Sequence, residues 1–222
     1  MDKRILVVLP HPDDEAFGVS GTLAMAIEEG TQVTYACLTL GEMGRNMGIP
    51  PFANRVTLPQ IRRIELEESC RAIGIQDLRM LGFHDKMVEF EDPAVVQAAV
   101  TALVEELRPE LVITFYPGFS VHPDHDATGA AVIGAIARMP AGKRPTVHAM
   151  AFSSNCRQVL GPPDIVRDVT AYLPQKMASI QAHRSQFQAA ELLGSKELSE
   201  EELIGRYGTE RFWTYRFEDE HE

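Results

Sequence analysis

Leu9-Pro10-His11-Pro12-Asp13-Asp14-Glu15 is the stretch on which the reading of this chain turns. It follows directly on the apolar run 5–9, which reads as a buried strand, and Pro12 cannot continue a strand ladder. An imidazole and three carboxylates therefore stand where a strand gives way to a loop. In open α/β sheets, ligands bind at that carboxyl end. Like charges crowded there repel one another unless something positive compensates, and a divalent metal is the usual remedy.

The theme recurs. Leu111-Val112-Ile113-Thr114-Phe115-Tyr116 is a second strand-like run, followed by Pro117-Gly118 and then His122-Pro123-Asp124-His125-Asp126. Two His/Asp clusters at two strand ends, far apart in sequence, can converge on one site.

Strand-like and helix-like segments alternate between and beyond these motifs. Residues 21–29 predict a helix, with Ser20 as N-cap and Gly30 closing it. A strand over 32–40 leads into a long aperiodic loop, 41–59, rich in Gly, Pro, Asn and Met; such loops are often functional. A helix over 59–73, a strand over 78–83 and a helix over 93–107 follow, the last with Asp92 as cap and Pro93 at its first position. After the strand from Leu111 come a helix over about 127–138, a strand over 146–152 and a helix over 173–187. The tail is charged from Ser195, and Trp213, Tyr215 and Phe217 in it suit an edge strand. This alternation predicts one α/β domain over residues 1–222: a Rossmann-like, mostly parallel sheet with helices on both faces. No GxGxxG follows the first strand, which argues against a dinucleotide cofactor.

Size and composition agree. The chain has 222 residues, 45% hydrophobic and 24% charged, enough for one sizeable core. A net charge of −11 argues against nucleic acid or an anionic membrane as partner. No apolar stretch approaches the ~20 residues of a membrane span. Met1-Asp2-Lys3-Arg4 leads straight into a strand rather than a signal peptide, and Cys37, Cys70 and Cys156 read as buried free thiols, so the expected compartment is the cytoplasm.

The donors suit a catalytic zinc site, which takes three protein ligands and keeps one position open for water. His11 and Asp14 are spaced so that a loop can turn both inward, with His125 completing the set. That leaves Asp13 beside the metal to take a proton, and His122 free, with Asp124 available to hold its ring. Two His and one carboxylate also make the triad of non-haem Fe(II) oxygenases, but those sites normally lie in all-β barrels. A non-catalytic metal- or sugar-binding protein would have no need of a base and an acid flanking the metal.

His11-Pro12-Asp13-Asp14-Glu15 with His122-Pro123-Asp124-His125 resembles the LmbE-like (PIG-L) family of zinc-dependent N-acetylglucosaminide deacetylases. Gly21-Thr22-Leu23-Ala24, Gly41-Glu42 and Arg62-Arg63-Ile64-Glu65-Leu66 fit as well, and the resemblance spans roughly residues 4–190. The length and Phe83-His84-Asp85-Lys86 look most like the bacillithiol-pathway members, which deacetylate N-acetylglucosaminyl malate; diacetylchitobiose is the alternative kind of substrate. The resemblance implies His11, Asp14 and His125 as metal ligands, with Zn2+ as the metal and Fe2+ able to replace it in cells. It further implies Asp13 as general base and His122 as electrostatic or acid group oriented by Asp124. Asp85 would hold sugar hydroxyls, and Arg55, or else Arg45, would contact the substrate. Relatives commonly form trimers or hexamers. Some also use a tyrosine just before the second motif, where this chain has Ser120 and Val121. Asp126 reads as a helix cap, Arg62 and Glu65 equally as a surface pair or as site contacts, and Glu15 equally as support for the site or as a helix cap.

Overall fold

The first strand, β1 (Arg4–Leu9), explains why its sequence is apolar without a break. Leu6 and Val8 point to one face of the sheet, and Ile5, Val7 and Leu9 to the other. A strand covered on both faces has no reason to alternate with polar residues. The computed structural model describes residues 3–187 and 199–217.

The chain continues through two short helices, α1 (Asp14–Gly18) and α2 (Ser20–Glu28), to β2 (Gln32–Cys37). Next come α3 (Leu58–Ile73), β3 (Asp77–Met80), α4 (Pro93–Leu107), β4 (Leu111–Phe115) and α5 (Pro123–Ala137). β5 (Thr146–Met150), α6 (Cys156–Leu160), β6 (Ile165–Asp168), α7 (Leu173–Ala182), α8 (Glu200–Tyr207) and β7 (Thr209–Thr214) complete it. The strand order is β3-β2-β1-β4-β5-β7-β6, with β1 to β5 parallel and β7 antiparallel to both of its neighbours. Leu23 from α2 and Leu66, Cys70 and Ile73 from α3 cover one face. Val96, Val100 and Val104 from α4 and Val132 and Ile136 from α5 cover the other.

β1 lies between β2 and β4, so the chain winds one way from β1 and then returns to wind the other way. Loops leaving the carboxyl ends of β1 and β4 diverge there and open a crevice, the usual ligand position in such sheets. Both His/Asp motifs begin in those two loops and run into the first turns of the helices that follow.

Several boundaries differ from the sequence reading. β2, β3 and β5 end two or three residues early, because their last residues already turn into the loops that build the site. α5 starts at Pro123 instead of near Ala127: proline is tolerated in a first turn, and the His122 ring caps the helix by accepting from Asp124 N–H at 3.2 Å. Asp126 is therefore not the cap; its Oδ1 accepts from the N–H groups of Gly118 and Ser120 at 2.8 and 3.1 Å and fastens the preceding loop. Ser20 begins α2 rather than capping it, and its hydroxyl donates to Ala16 O. α7 stops at Ala182. The aromatic tail supplies β7, which is internal because β6, unread in the sequence, covers its other side. The stretch from Ser195 to residue 198 lies outside the described residues.

Candidate active site

Pro10 ends β1, and the chain then turns sharply. Asp13 has φ 96° and ψ −25°, a left-handed conformation rare for a residue with a side chain, before α1 begins at Asp14. This turn brings the His11 and Asp14 side chains to the same side. From β4, the Phe115 ring lies flat against the His125 ring, with centroids 3.9 Å apart and an interplanar angle of 3°.

The motifs converge. His11 Nδ1 lies 3.2 Å from His125 Nε2 and 3.5 Å from Asp14 Oδ2, and His125 Nε2 lies 3.1 Å from Asp14 Oδ1. Two imidazole nitrogens and a carboxylate facing one point are the donor types and number of a catalytic zinc site. His122 completes a trio with His11 and His125 whose ring nitrogens lie within 4.8 Å of one another. A second donor set shares His11: its Nε2 lies 3.1 Å from Asp124 Oδ2 and 3.2 Å from Asp85 Oδ1.

Adjacent carboxylates differ sharply here. Burial pushes Asp13 up to about 6, against the Arg62 charge and with help from Asp14. Burial would raise Asp14 too, but the His125 charge and hydrogen bonds with His11 and His125 hold it far below the usual carboxylate range. Two neighbouring acids with affinities pushed apart are suited to different roles. Burial and the charges of His11 and His125 lower His122, favouring its neutral ring.

One expected contact comes out differently. The Asp124 carboxylate faces His11, not His122, and accepts from the N–H groups of Lys86 and Glu89 at 2.7 and 3.3 Å. His122 is held instead by the backbone N–H of Asp124. Asp85 is buried, spanning from His11 to the N–H of Met43, which donates at 2.8 Å. Arg55 and Arg45 are exposed, and Arg55 Nη1 donates to Glu42 O at 3.3 Å and to Gly44 O at 2.6 Å, bracing its own loop.

Three site neighbours had little sequence signal. Arg62 is no surface residue: from α3 its Nη2 donates to Asp13 Oδ2 at 2.8 Å and to Pro12 O, and Nη1 donates to Gly41 O at 2.9 Å. Gly41 (φ 61°) makes room for it, since a Cβ there would fall 1.8 Å from Arg62 Nη1. Glu65 is buried and accepts from Ser185 N and Oγ, each at 2.7 Å, so it does not pair with Arg62. His183, fully buried at the end of α7, meets Glu15 at 2.7 Å. Glu15 takes the first of its two expected roles: it lies inside α1 without capping a helix, and its Oε2 accepts from Asp13 N–H at 3.0 Å beneath the site.

A parallel-centred sheet with a two-histidine, carboxylate-rich cluster at its switch point has the architecture of the LmbE-like hydrolases. Residues 6–136 match the GlcNAc-PI de-N-acetylase (PIG-L) family, and the chain belongs to it. A Bacillus cereus protein named probable N-acetyl-alpha-D-glucosaminyl L-malate deacetylase 2 is 48% identical over 220 residues, covering 98% of this chain and 100% of its own length. Among solved structures, the N,N'-diacetylchitobiose deacetylase of Pyrococcus horikoshii, complexed with its inhibitor MPG, matches with TM-score 0.72 and 25% identity over 96% of this chain and 84% of its own. The 4-carboxy-2-hydroxymuconate hydratase GalB of Pseudomonas putida matches with TM-score 0.73 at 19% identity over 97% of both chains. That last likeness is of fold alone, so the reaction has to be argued from the site.

Proposed function

We propose that this protein is a single-domain, metal-dependent deacetylase that removes the acetyl group from N-acetylglucosaminyl malate in bacillithiol biosynthesis. One observation carries the reading: Asp13 and Asp14 are neighbours, yet Asp14 points to the two imidazoles while Asp13 faces Arg62 with its proton affinity raised to about 6. A ligand and a base side by side are what metal-assisted amide hydrolysis needs. The full-length likeness to the Bacillus cereus protein supports the malate conjugate.

His11, Asp14 and His125 would hold the metal, Zn2+ or in cells Fe2+, by their donor types. When bound, it supplies a Lewis acid that polarises the acetyl carbonyl and acidifies water. Asp13 accepts the proton of the attacking water. Arg62 keeps that carboxylate in place and favours its charged form. His122 Nδ1 accepts from Asp124 N–H, so the neutral ring carries its proton on Nε2 and can offer it as a hydrogen bond to the developing oxyanion, while the proton taken up by Asp13 passes to the departing amine. The Asp124 and Asp85 carboxylates fix the His11 ring through Nε2, as carboxylates commonly fix metal-binding histidines.

A strongly acidic protein needs local positive charge to hold malate. Arg55 and Arg45 supply it from the loop beside the site. That loop is anchored where Asn46 and Gln186 exchange hydrogen bonds of 2.7 and 3.0 Å. Exposed Ile49, Phe52, Val56 and Val121 near the same edge support assembly into the trimers or hexamers typical of relatives. Among the described residues no helix is long and apolar enough to cross a membrane. The free thiols Cys37, Cys70 and Cys156, all buried, support a reducing cytoplasm.

The test is release of free amine from N-acetylglucosaminyl malate, diacetylchitobiose and a neutral N-acetylglucosaminide by the metal-loaded protein. Arg55→Lys, which cannot make a bidentate pair, should raise KM for the malate conjugate and leave the neutral substrate nearly unchanged. Equal weakening of both would remove the arginine from malate recognition. No amine from any substrate would end the deacetylase reading.

A further inference from the structure

We propose that Glu15 and His183 are positioning residues for Asp13, holding its backbone in the left-handed turn that aims its carboxylate into the site. The inference rests on the deacetylase reading, with Asp13 as base.

Asp13 is one of four non-glycine residues with positive φ among those described. A side chain in that region is strained and persists only where the surroundings over-determine it. In front, Arg62 grips the Asp13 carboxylate and the Pro12 carbonyl. Behind, the Asp13 N–H donates to Glu15 Oε2 at 3.0 Å. Asp13 is thus held from two sides, and only the rear hold fixes its own backbone nitrogen.

Glu15 has no exposed surface and is itself pinned by donors from three further elements. Tyr35 of β2 donates its hydroxyl to Oε2 at 3.2 Å, and Ser69 of α3 donates to Oε1. His183 Nε2 meets Oε1 at 2.7 Å, and among the described residues its buried Nδ1 has no hydrogen-bond partner. Among the described residues, the His183 ring therefore hydrogen-bonds to Glu15 alone. It reaches there because α7 ends at Ala182, one residue earlier. Burying a carboxylate and an imidazole is a poor way to gain stability when apolar residues of like volume would serve. The pair makes sense if its product is geometry at Asp13, because displacing a reacting group by ~1 Å can reduce a rate 10²-fold.

The experiment compares metal-loaded wild type with Glu15→Ala, Glu15→Gln and His183→Gln, measuring metal content, kcat and KM on N-acetylglucosaminyl malate. Glu15→Ala should keep its metal and its KM and lose about 10²-fold in kcat. Glu15→Gln, whose amide oxygen can still accept from Asp13 N–H, should recover to within about tenfold of wild type. His183→Gln should fall between the two with KM unmoved. A Glu15→Ala enzyme with unchanged kcat overturns the inference. So does one that loses metal, KM and kcat together while Glu15→Gln is no better, which marks a merely structural cluster. Should Glu15→Ala not fold, His183→Gln decides: a selective fall in kcat upholds the inference, and unchanged kcat overturns it. Wild type inactive on the substrate counts against the deacetylase reading instead, so the two failures are distinguishable.

Discussion

Arg62 crosses from the first turns of α3 to place its Nη2 2.8 Å from Asp13 Oδ2, with both groups largely withdrawn from solvent. Its charge opposes the burial that pushes Asp13 up to about 6. Replacing it by methionine removes that opposition, so Asp13 must bind its proton more tightly. A base works only when deprotonated, so the acidic limb of kcat/KM should move to higher pH, by roughly one to three units for a lost close charge. The pH–rate profile of Arg62→Met checks this. An unmoved limb would show that Asp13 is not the group titrating there.

Asp13→Asn removes the proton acceptor with little change of size. Metal should remain while kcat falls by roughly 10²–10⁴. The same change should alter stability in the metal-free protein. The folded state holds Asp13 at about 6 against an ordinary 3.8, so it binds the proton more tightly than the unfolded chain does. That contribution is fully present below about 3.8 and is lost as pH rises through about 6. Wild type should therefore weaken relative to Asp13→Asn between pH ~4 and pH ~7, by on the order of 2–3 kcal/mol. Urea titrations of both proteins after chelation, at the two ends of that window, measure the difference.

His125→Ala deletes one of three converging donors and should release the metal. Elemental analysis of the dialysed variant checks it. Full occupancy would remove His125 from the ligand set and leave the alternative cluster of His11, Asp85 and Asp124 as the metal position.

Lys176 and Glu210 form an ion pair in which both residues are almost wholly buried. Glu210 also accepts from the N–H groups of Gly21 and Thr22 at 3.0 and 2.8 Å, so a residue of β7 satisfies the first turn of α2. Lys176→Met strands that carboxylate and should cost about 3–5 kcal/mol in urea unfolding. Adding Glu210→Gln should restore part of the loss, because no net charge is then left buried.

The converging donors His11, Asp14 and His125 were legible because each lies in a short contiguous motif immediately after a strand, and strand ends in such a sheet share one edge. Asp92 as the cap of α4 was legible for the same local reason: its side chain accepts from Ala94 N–H two residues on. Arg62 and Glu65 were legible only as an even choice between a surface pair and site contacts, and His183 not at all, because nothing near them in sequence shows that α3 and α7 lie against the β1 loop. Asp124 was paired with the wrong histidine because proximity in sequence favours His122, whereas the ring that its carboxylate meets comes from a loop 113 residues away. β6 was missed because four residues beyond two prolines carry no periodic signal, and with it went the internal position of β7.

The face-to-face contact of Phe115 with His125 has a consequence for how the proposed metal site would be filled. Phe115 is the last residue of a central strand, so the ring against which the imidazole rests is fixed by the sheet itself. Rotating the His125 ring out of line would sacrifice that overlap, and the orientation is therefore set before any ion arrives. Loading then orders little that was free beforehand and spares the entropy that ordering would otherwise consume. A chelated sample should thus regain metal as fast as ions reach the crevice, with no slow folding step between capture and activity.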